Sequence, residues 1–125
     1  MAEPTYSPLV MEHFATPRNA GVLPAASDVI AAAAGSQAQG VRFELSAKVA
    51  GDRIADLRYR VYGCPHCIAA ASWTSERLIG ATRADLAQWR WREVADALEV
   101  PPEKRGRMLV LEDAVRALEK VWPNA

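Results

Sequence analysis

The chain has 125 residues, half of them hydrophobic and 24% charged, enough for one compact domain with a core of its own. Fifteen Lys and Arg balance fifteen Asp and Glu, so there is no general electrostatic attraction for nucleic acid or an anionic membrane surface. No apolar run approaches the ~20 residues that span a bilayer, and Met1–Ser7 lacks the basic residue and apolar core of a secretory signal, so a cytoplasmic protein with a single domain over residues 1–125 is expected.

Leu9, Val10, His13 and Phe14 recur at helical spacing and predict a short first helix, which Pro17 ends. Arg18–Gly40 is rich in Gly, Ala and Ser. It reads as a surface loop or a weak edge strand, and its Ala31–Ala34 run also suits one helical turn. Two strands follow. Val41, Phe43, Leu45, Ala47 and Val49 alternate with Arg42, Glu44, Ser46 and Lys48; after Gly51-Asp52, Leu57, Tyr59 and Val61 alternate with Arg58, Arg60 and Tyr62. Period two across a Gly-Asp turn predicts an antiparallel hairpin with one wet face and one face for helices to cover. Ile68–Ile79 reads as a helix closed by Gly80, Thr82 as an N-cap with Asp85 three residues on, and Glu93–Val100 as a further helical run. Pro101-Pro102 starts a new helix, in which Met108, Leu111, Val115, Leu118 and Trp122 form one apolar stripe that predicts packing across the hairpin. This order of elements defines an α+β class: a small antiparallel sheet, the hairpin with or without an edge strand from the alanine run, packed against helices.

Cys64-Pro65-His66-Cys67 holds both cysteines and one of the two histidines, between a strand and a helix. A thiol at a helix N-terminus faces unpaired N–H groups and the positive end of the macrodipole. Both favour the thiolate, the form that attacks electrophiles and binds metals. Away from oxidising compartments a C-x-x-C pair is more often redox-active or metal-binding than a structural disulfide. Cys64 and Cys67 are therefore candidates for persulfide or dithiol chemistry, and the same thiols with His66 are candidate metal or cluster ligands. In a dithiol reaction Cys64 would attack and Cys67 would resolve the mixed disulfide. The tetrapeptide also occurs as the active-site sequence of DsbA-like thiol oxidases, but an antiparallel hairpin before it does not match the βαβ setting of a thioredoxin-like fold.

Tyr6-Ser7, His13-Phe14, Pro17-Arg18-Asn19 and Gly21 open the chain. Tyr62-Gly63-Cys64 follows two strands, and Val100-Pro101-Pro102-Glu103-Lys104 and Leu111-Glu112-Asp113-Ala114 come after it. In order and spacing these segments resemble the IscU/NifU-type iron–sulfur cluster assembly scaffolds over nearly the whole chain. The resemblance implies an IscU/SufE-like fold and a scaffold or accessory protein rather than an enzyme. Family members hold zinc or a nascent cluster with three cysteines, an aspartate and a histidine. By that pattern Gln39 and Val41 stand in place of the first cysteine and the aspartate, and Gly106 and Arg107 in place of a His-Cys pair. Cys64 alone is kept, and Cys67 is an added thiol one helical turn on. A single chain thus lacks the family's usual donors. A homodimer would offer four cysteines, enough for a [2Fe–2S] cluster or a zinc ion on the dimer axis. The resemblance also implies partners: a cysteine desulfurase delivering a persulfide to Cys64, other iron–sulfur assembly proteins, and an Hsp70-type chaperone engaging Val100–Lys104. Tyr6 stands where the family makes dimer contacts.

Three functions compete at this point. The first is a scaffold-like or accessory protein whose Cys64 and Cys67 bind a cluster or accept sulfur. The second is a small dithiol oxidoreductase, and the third a binding module with no site chemistry and no cofactor. His13 reads as a core histidine, and at least one of Trp89 and Trp91 as core rather than partner surface. Arg58 and Arg60 read as the wet face of a strand, and Val100–Lys104 as a proline-started helix rather than a chaperone segment, since Glu103 replaces an apolar residue. Arg107, if close to Cys64, would lower a thiol's pKa and repel a cationic metal.

Overall fold

The computed structural model describes residues 6–123, so most of the Met1–Ser7 reading falls outside the described residues. The first helix, α1 (Pro8–Ala15), starts where Ser7 accepts a hydrogen bond from the Val10 N–H and Pro8 presets the first turn. Val10 and His13 face the core, while Phe14, expected on that face, is exposed. The Ser7 hydroxyl also donates to the Leu98 carbonyl at 2.7 Å, tying the start of this helix to a distant part of the chain.

The sheet has three antiparallel strands in the order β1 (Val29–Ser36), β2 (Val41–Ala50), β3 (Arg53–Tyr62). The predicted hairpin is β2–β3, and Gly51 takes the left-handed φ of 64° that its tight turn requires. A bulge at Lys48/Val49 shifts the register near that turn. The alanine run is the edge strand, not a loop or a helical turn. Ala32 and Ala34 lean on the core and Ala31 and Ala33 face out, because pairing with β2 outweighs alanine's preference for helix. Gly35 ends the run where a side chain would collide with the Val41 carbonyl.

On the wet face Glu44 receives hydrogen bonds from Arg42 and, at 2.9 Å, from Arg60, which hold its carboxyl below the usual range. Ser46 lies on the same side yet is buried, because residue Leu23 crosses over it and donates its N–H. Further back along that crossing segment, Asn19 adopts φ 63°, Gly21 donates to the Tyr59 carbonyl, and Ala20 bridges Tyr59, so this turn covers part of the free side of β3.

Among the described residues five helices complete the layer: α1, α2 (Pro65–Leu78), α3 (Arg83–Gln88), α4 (Trp91–Ala97) and α5 (Arg105–Lys120), the last preceded by a 3-10 turn at Pro102–Lys104. α2 begins three residues before the expected Ile68, since Pro65 suits the first helical position, and it ends before Gly80, whose φ is 92°. Thr82 and Asp85 form the full capping box of α3. α4 stops before the expected Val100 because Glu99 turns left-handed and Val100 precedes a proline.

The apolar stripe of α5 is buried as expected, with Met108, Leu111, Val115, Leu118 and Trp122 all in the core. The helix lies over β1 and β2, while α2 covers β3, so the predicted packing across the hairpin is shared between two helices. Trp89 is buried and Trp91 packs against the core, so neither forms an open partner surface. No helix among the described residues is long and apolar enough to cross a membrane.

Candidate thiol site

β3 delivers the chain to Tyr62, Gly63 turns it, and Cys64 caps α2. The Cys67 N–H and the Ile68 N–H both bond the Cys64 carbonyl, which closes the first turn and brings the two cysteines onto one side. Their sulfurs are 3.7 Å apart, both free thiols. Cys64 is half-buried and Cys67 is fully buried. Gly63 makes this arrangement fit, since a side chain there would begin 2.8 Å from the Cys67 sulfur.

The pair shares its acidity unequally. A hydrogen bond from Cys67 pulls the Cys64 thiol down to about 4, and the backbone N–H groups of Cys67 and His66 at the helix start and the charge of Lys104 reinforce it. Cys67 moves the other way, held protonated by its bond to Cys64 and by burial. One half-exposed thiolate therefore stands over one buried thiol that donates to it.

The other expected site residues fall as follows. His66 is 5% exposed, packs its ring against Tyr6 at a centroid distance of 4.9 Å and a tilt of 56°, and its Nδ1 has no hydrogen-bond partner among the described residues. Among the described residues no three His, Cys, Asp or Glu side chains are grouped to hold one metal ion. A [2Fe–2S] cluster takes four thiolates and a closed zinc site four donors, so the thiol pair of one chain meets half of either need. His13 is a buried core group. Arg18, which can only donate, reaches its Nδ1 at 3.1 Å, so that nitrogen accepts, and the Ser72 hydroxyl bonds it at 2.7 Å. Arg58 is occupied by Asp56 and Arg60 by Glu44, so neither forms a basic rim for the thiols.

Arg107 does approach the site. Its Nη1 donates to the Gly40 carbonyl at 3.2 Å, which joins the start of α5 to the β1–β2 turn, and its charge acts on Cys67. Gln39, Val41, Gly106 and Arg107 thus lie on the two segments that flank the thiols. Two contributors were not legible as site residues, Lys104 and Gly63. Lys104 stands three positions before Arg107, which is a spacing signal; Gly63 is marked only by its place between strand and cysteine.

A three-stranded antiparallel sheet layered with helices, opening a thiol pair at the strand–helix junction, defines a small thiol-bearing α+β domain. Comparison with known proteins extends this. Residues 5–122 match the family described as NifU-like N terminal domain. The bifunctional protein NifU/MnmA of Rubrobacter xylanophilus is 39% identical over 121 residues, covering 94% of this chain and 24% of that protein's length. The iron–sulfur cluster assembly scaffold protein IscU of Azotobacter vinelandii is 33% identical, with 90% of this chain and 89% of the relative covered. Among solved structures, a protein named as an iron–sulfur cluster assembly scaffold for the SUF system, from Fervidobacterium islandicum AW-1, superposes with a TM-score of 0.71 at 17% identity, over 91% of this chain and 96% of the other. The N-terminal part of a NifU-like protein from Brucella abortus gives a TM-score of 0.64 at 19% identity, covering 93% and 95%. The chain belongs to the NifU-like N-terminal domain family.

Proposed function

We propose that this chain is a scaffold-like or accessory protein of iron–sulfur cluster assembly, and that Cys64 accepts sulfur there as a persulfide. The observation that carries this reading is the asymmetric thiol pair: a half-exposed Cys64 with its pKa drawn to about 4, backed 3.7 Å away by a buried, protonated Cys67. The names of the relatives support cluster assembly rather than a dithiol oxidoreductase.

The Cys64 thiolate attacks the outer sulfur of a persulfide on a cysteine desulfurase. The bond between the donor's two sulfurs breaks, the donor cysteine leaves as a thiolate, and Cys64 holds the transferred sulfur. Cys67, once deprotonated, attacks the Cys64 Sγ; the sulfur leaves as hydrosulfide and a Cys64–Cys67 disulfide forms. The two thiols supply the two electrons, and an external dithiol reductant restores them. A cluster would be cargo, and the four thiolates of a [2Fe–2S] unit would come from two chains. The 3-10 turn leaves Pro102 and Glu103 exposed, which is where a chaperone would meet the chain.

Intact-mass spectrometry after incubation with a cysteine desulfurase and cysteine tests the reading. One added sulfur is expected on Cys67→Ser, which has no thiol to release it, and none on Cys64→Ser, while the wild type is expected to carry either that sulfur or the Cys64–Cys67 disulfide left by its release. An unmodified Cys64 in Cys67→Ser would refute it.

A further inference from the structure

Two cations on one short stretch of chain act on the thiol pair through their charge. The 3-10 turn ends at Lys104, and Arg107 follows in the first turn of α5. The Gly40 carbonyl that anchors Arg107 lies beside the thiols. The point where a Gly63 side chain would begin is 3.8 Å from the Gly40 oxygen and 2.8 Å from the Cys67 sulfur. The β1–β2 turn, the β3–α2 junction and the start of α5 therefore meet at one place. Lys104 acts electrostatically on Cys64, and Arg107 on Cys67.

Neither cation is neutralised by a carboxylate among the described residues, whereas Arg18, Arg42, Arg53, Arg58, Arg60 and Arg105 each have one. The hydrogen bond from Arg107 goes to a neutral carbonyl and leaves its charge available. A guanidinium stays protonated at any working pH and has no lone pair to give a metal.

We propose that Arg107, together with Lys104, makes this a site for a soft sulfur anion, hydrosulfide or the ionised outer sulfur of a persulfide, and disfavours a bare divalent cation. The identity of the anion rests on the sulfur-acceptor reading above; the selection by charge does not. A sulfur carried on Cys64 keeps the one negative charge of the thiolate and moves it out to the terminal sulfur, where it faces two fixed positive charges, and a divalent ion seated on the same thiols would face them with the opposite sign. Arg107 is a specificity-determining residue here: it chooses the cargo through its field and needs no bond to it.

The test compares alkylation of Cys64 in the full chain by iodoacetate, an anion, and by iodoacetamide, its neutral analogue. Dividing the two rates cancels accessibility and thiolate fraction and leaves the local field. Arg107→Gln is expected to lower the anionic-to-neutral ratio about fivefold at low salt, with Arg107→Lys within about twofold of the wild type. Zinc titration is expected to show about tenfold tighter binding in Arg107→Gln.

An unchanged ratio or an unchanged zinc affinity in Arg107→Gln overturns the proposal. So does Arg107→Lys behaving like Arg107→Gln, since the Gly40 clasp rather than charge would then be responsible. If Arg107→Gln fails to fold, Lys104→Gln carries the same two measurements. The alkylation ratio uses no sulfur donor. A lowered ratio with no persulfide on Cys64 would therefore sink the sulfur-acceptor reading and leave the anion-selective site standing.

Discussion

Cys64 and Cys67 are the same side chain in two settings one helical turn apart. Cys64 stands at the open end of a helix, half-exposed, with N–H groups and a lysine charge toward its sulfur. Cys67 is fully buried behind Gly63 and gives its S–H to its neighbour. The pair therefore holds one proton across the neutral range, and that proton resides on the buried member. The group whose pKa lies at about 4 is deprotonated above that value, so the reactive form is lost only as pH falls through it. Iodoacetamide should alkylate Cys64 at a nearly constant rate from about pH 8 down to about pH 6 and slow only in acid, whereas an ordinary thiol would slow throughout that range. Mass-resolved alkylation rates across pH check this. Replacing Cys67 by Ala removes the donor and should move the onset of slowing upward.

The helices and strands fix what such residues can do. α1 is held on α2 by a polar cluster around buried His13 and Ser72: His13 bonds Ser72, Arg18 donates its backbone N–H to Ser72 and its guanidinium to His13, and Glu76 stands 3.7 Å from the other imidazole nitrogen. Burial lowers the His13 pKa below 6.5, and Arg18 and then Arg77 add to this, while Glu76 and Glu12 oppose it. A depressed histidine pKa means that the unfolded chain binds the proton more readily. Stability from this group is complete above the unfolded value and declines as pH falls from it toward the folded one. Thermal unfolding should show a plateau above about pH 6.5 and a decline below it, and a His13→Gln variant should lack that share of the decline. At the same scale the alanine run shows how context decides an element. Four alanines favour helix in isolation, yet β2 offers an edge, and the small side chains leave room for α5 above them.

Across the molecule α5 joins the core to the site. Its apolar stripe packs on β1 and β2, with Leu111 fully buried, and its first turn carries Arg107 to Gly40. Truncating Leu111 to Ala should cost ~2–5 kcal/mol, read by urea unfolding, because the surrounding layers can close only part of the cavity. Much of this architecture was legible in sequence. The alternation from Val41 to Tyr62, the stripe from Met108 to Trp122 and the Thr82–Asp85 box all express periods or caps that one segment specifies alone. Boundaries were less legible: α2 starts at Pro65 and α4 ends at Ala97, because local backbone conformation at Pro65 and Glu99 outranks apolar spacing. In the site, both thiols were legible from their spacing. The approach of Lys104, the clearance at Gly63 and the clasp from Arg107 to Gly40 were not. Sequence alone determined the α+β class, the order of its elements and the thiol pair at a helix start, since each depends on neighbours within a turn or a strand. Tertiary structure decided how deeply Cys67 is buried, where His66 turns and which charges face the sulfur. Those outcomes depend on burial and on contacts between segments as far apart as Gly40 and Arg107, which a one-dimensional pattern does not encode.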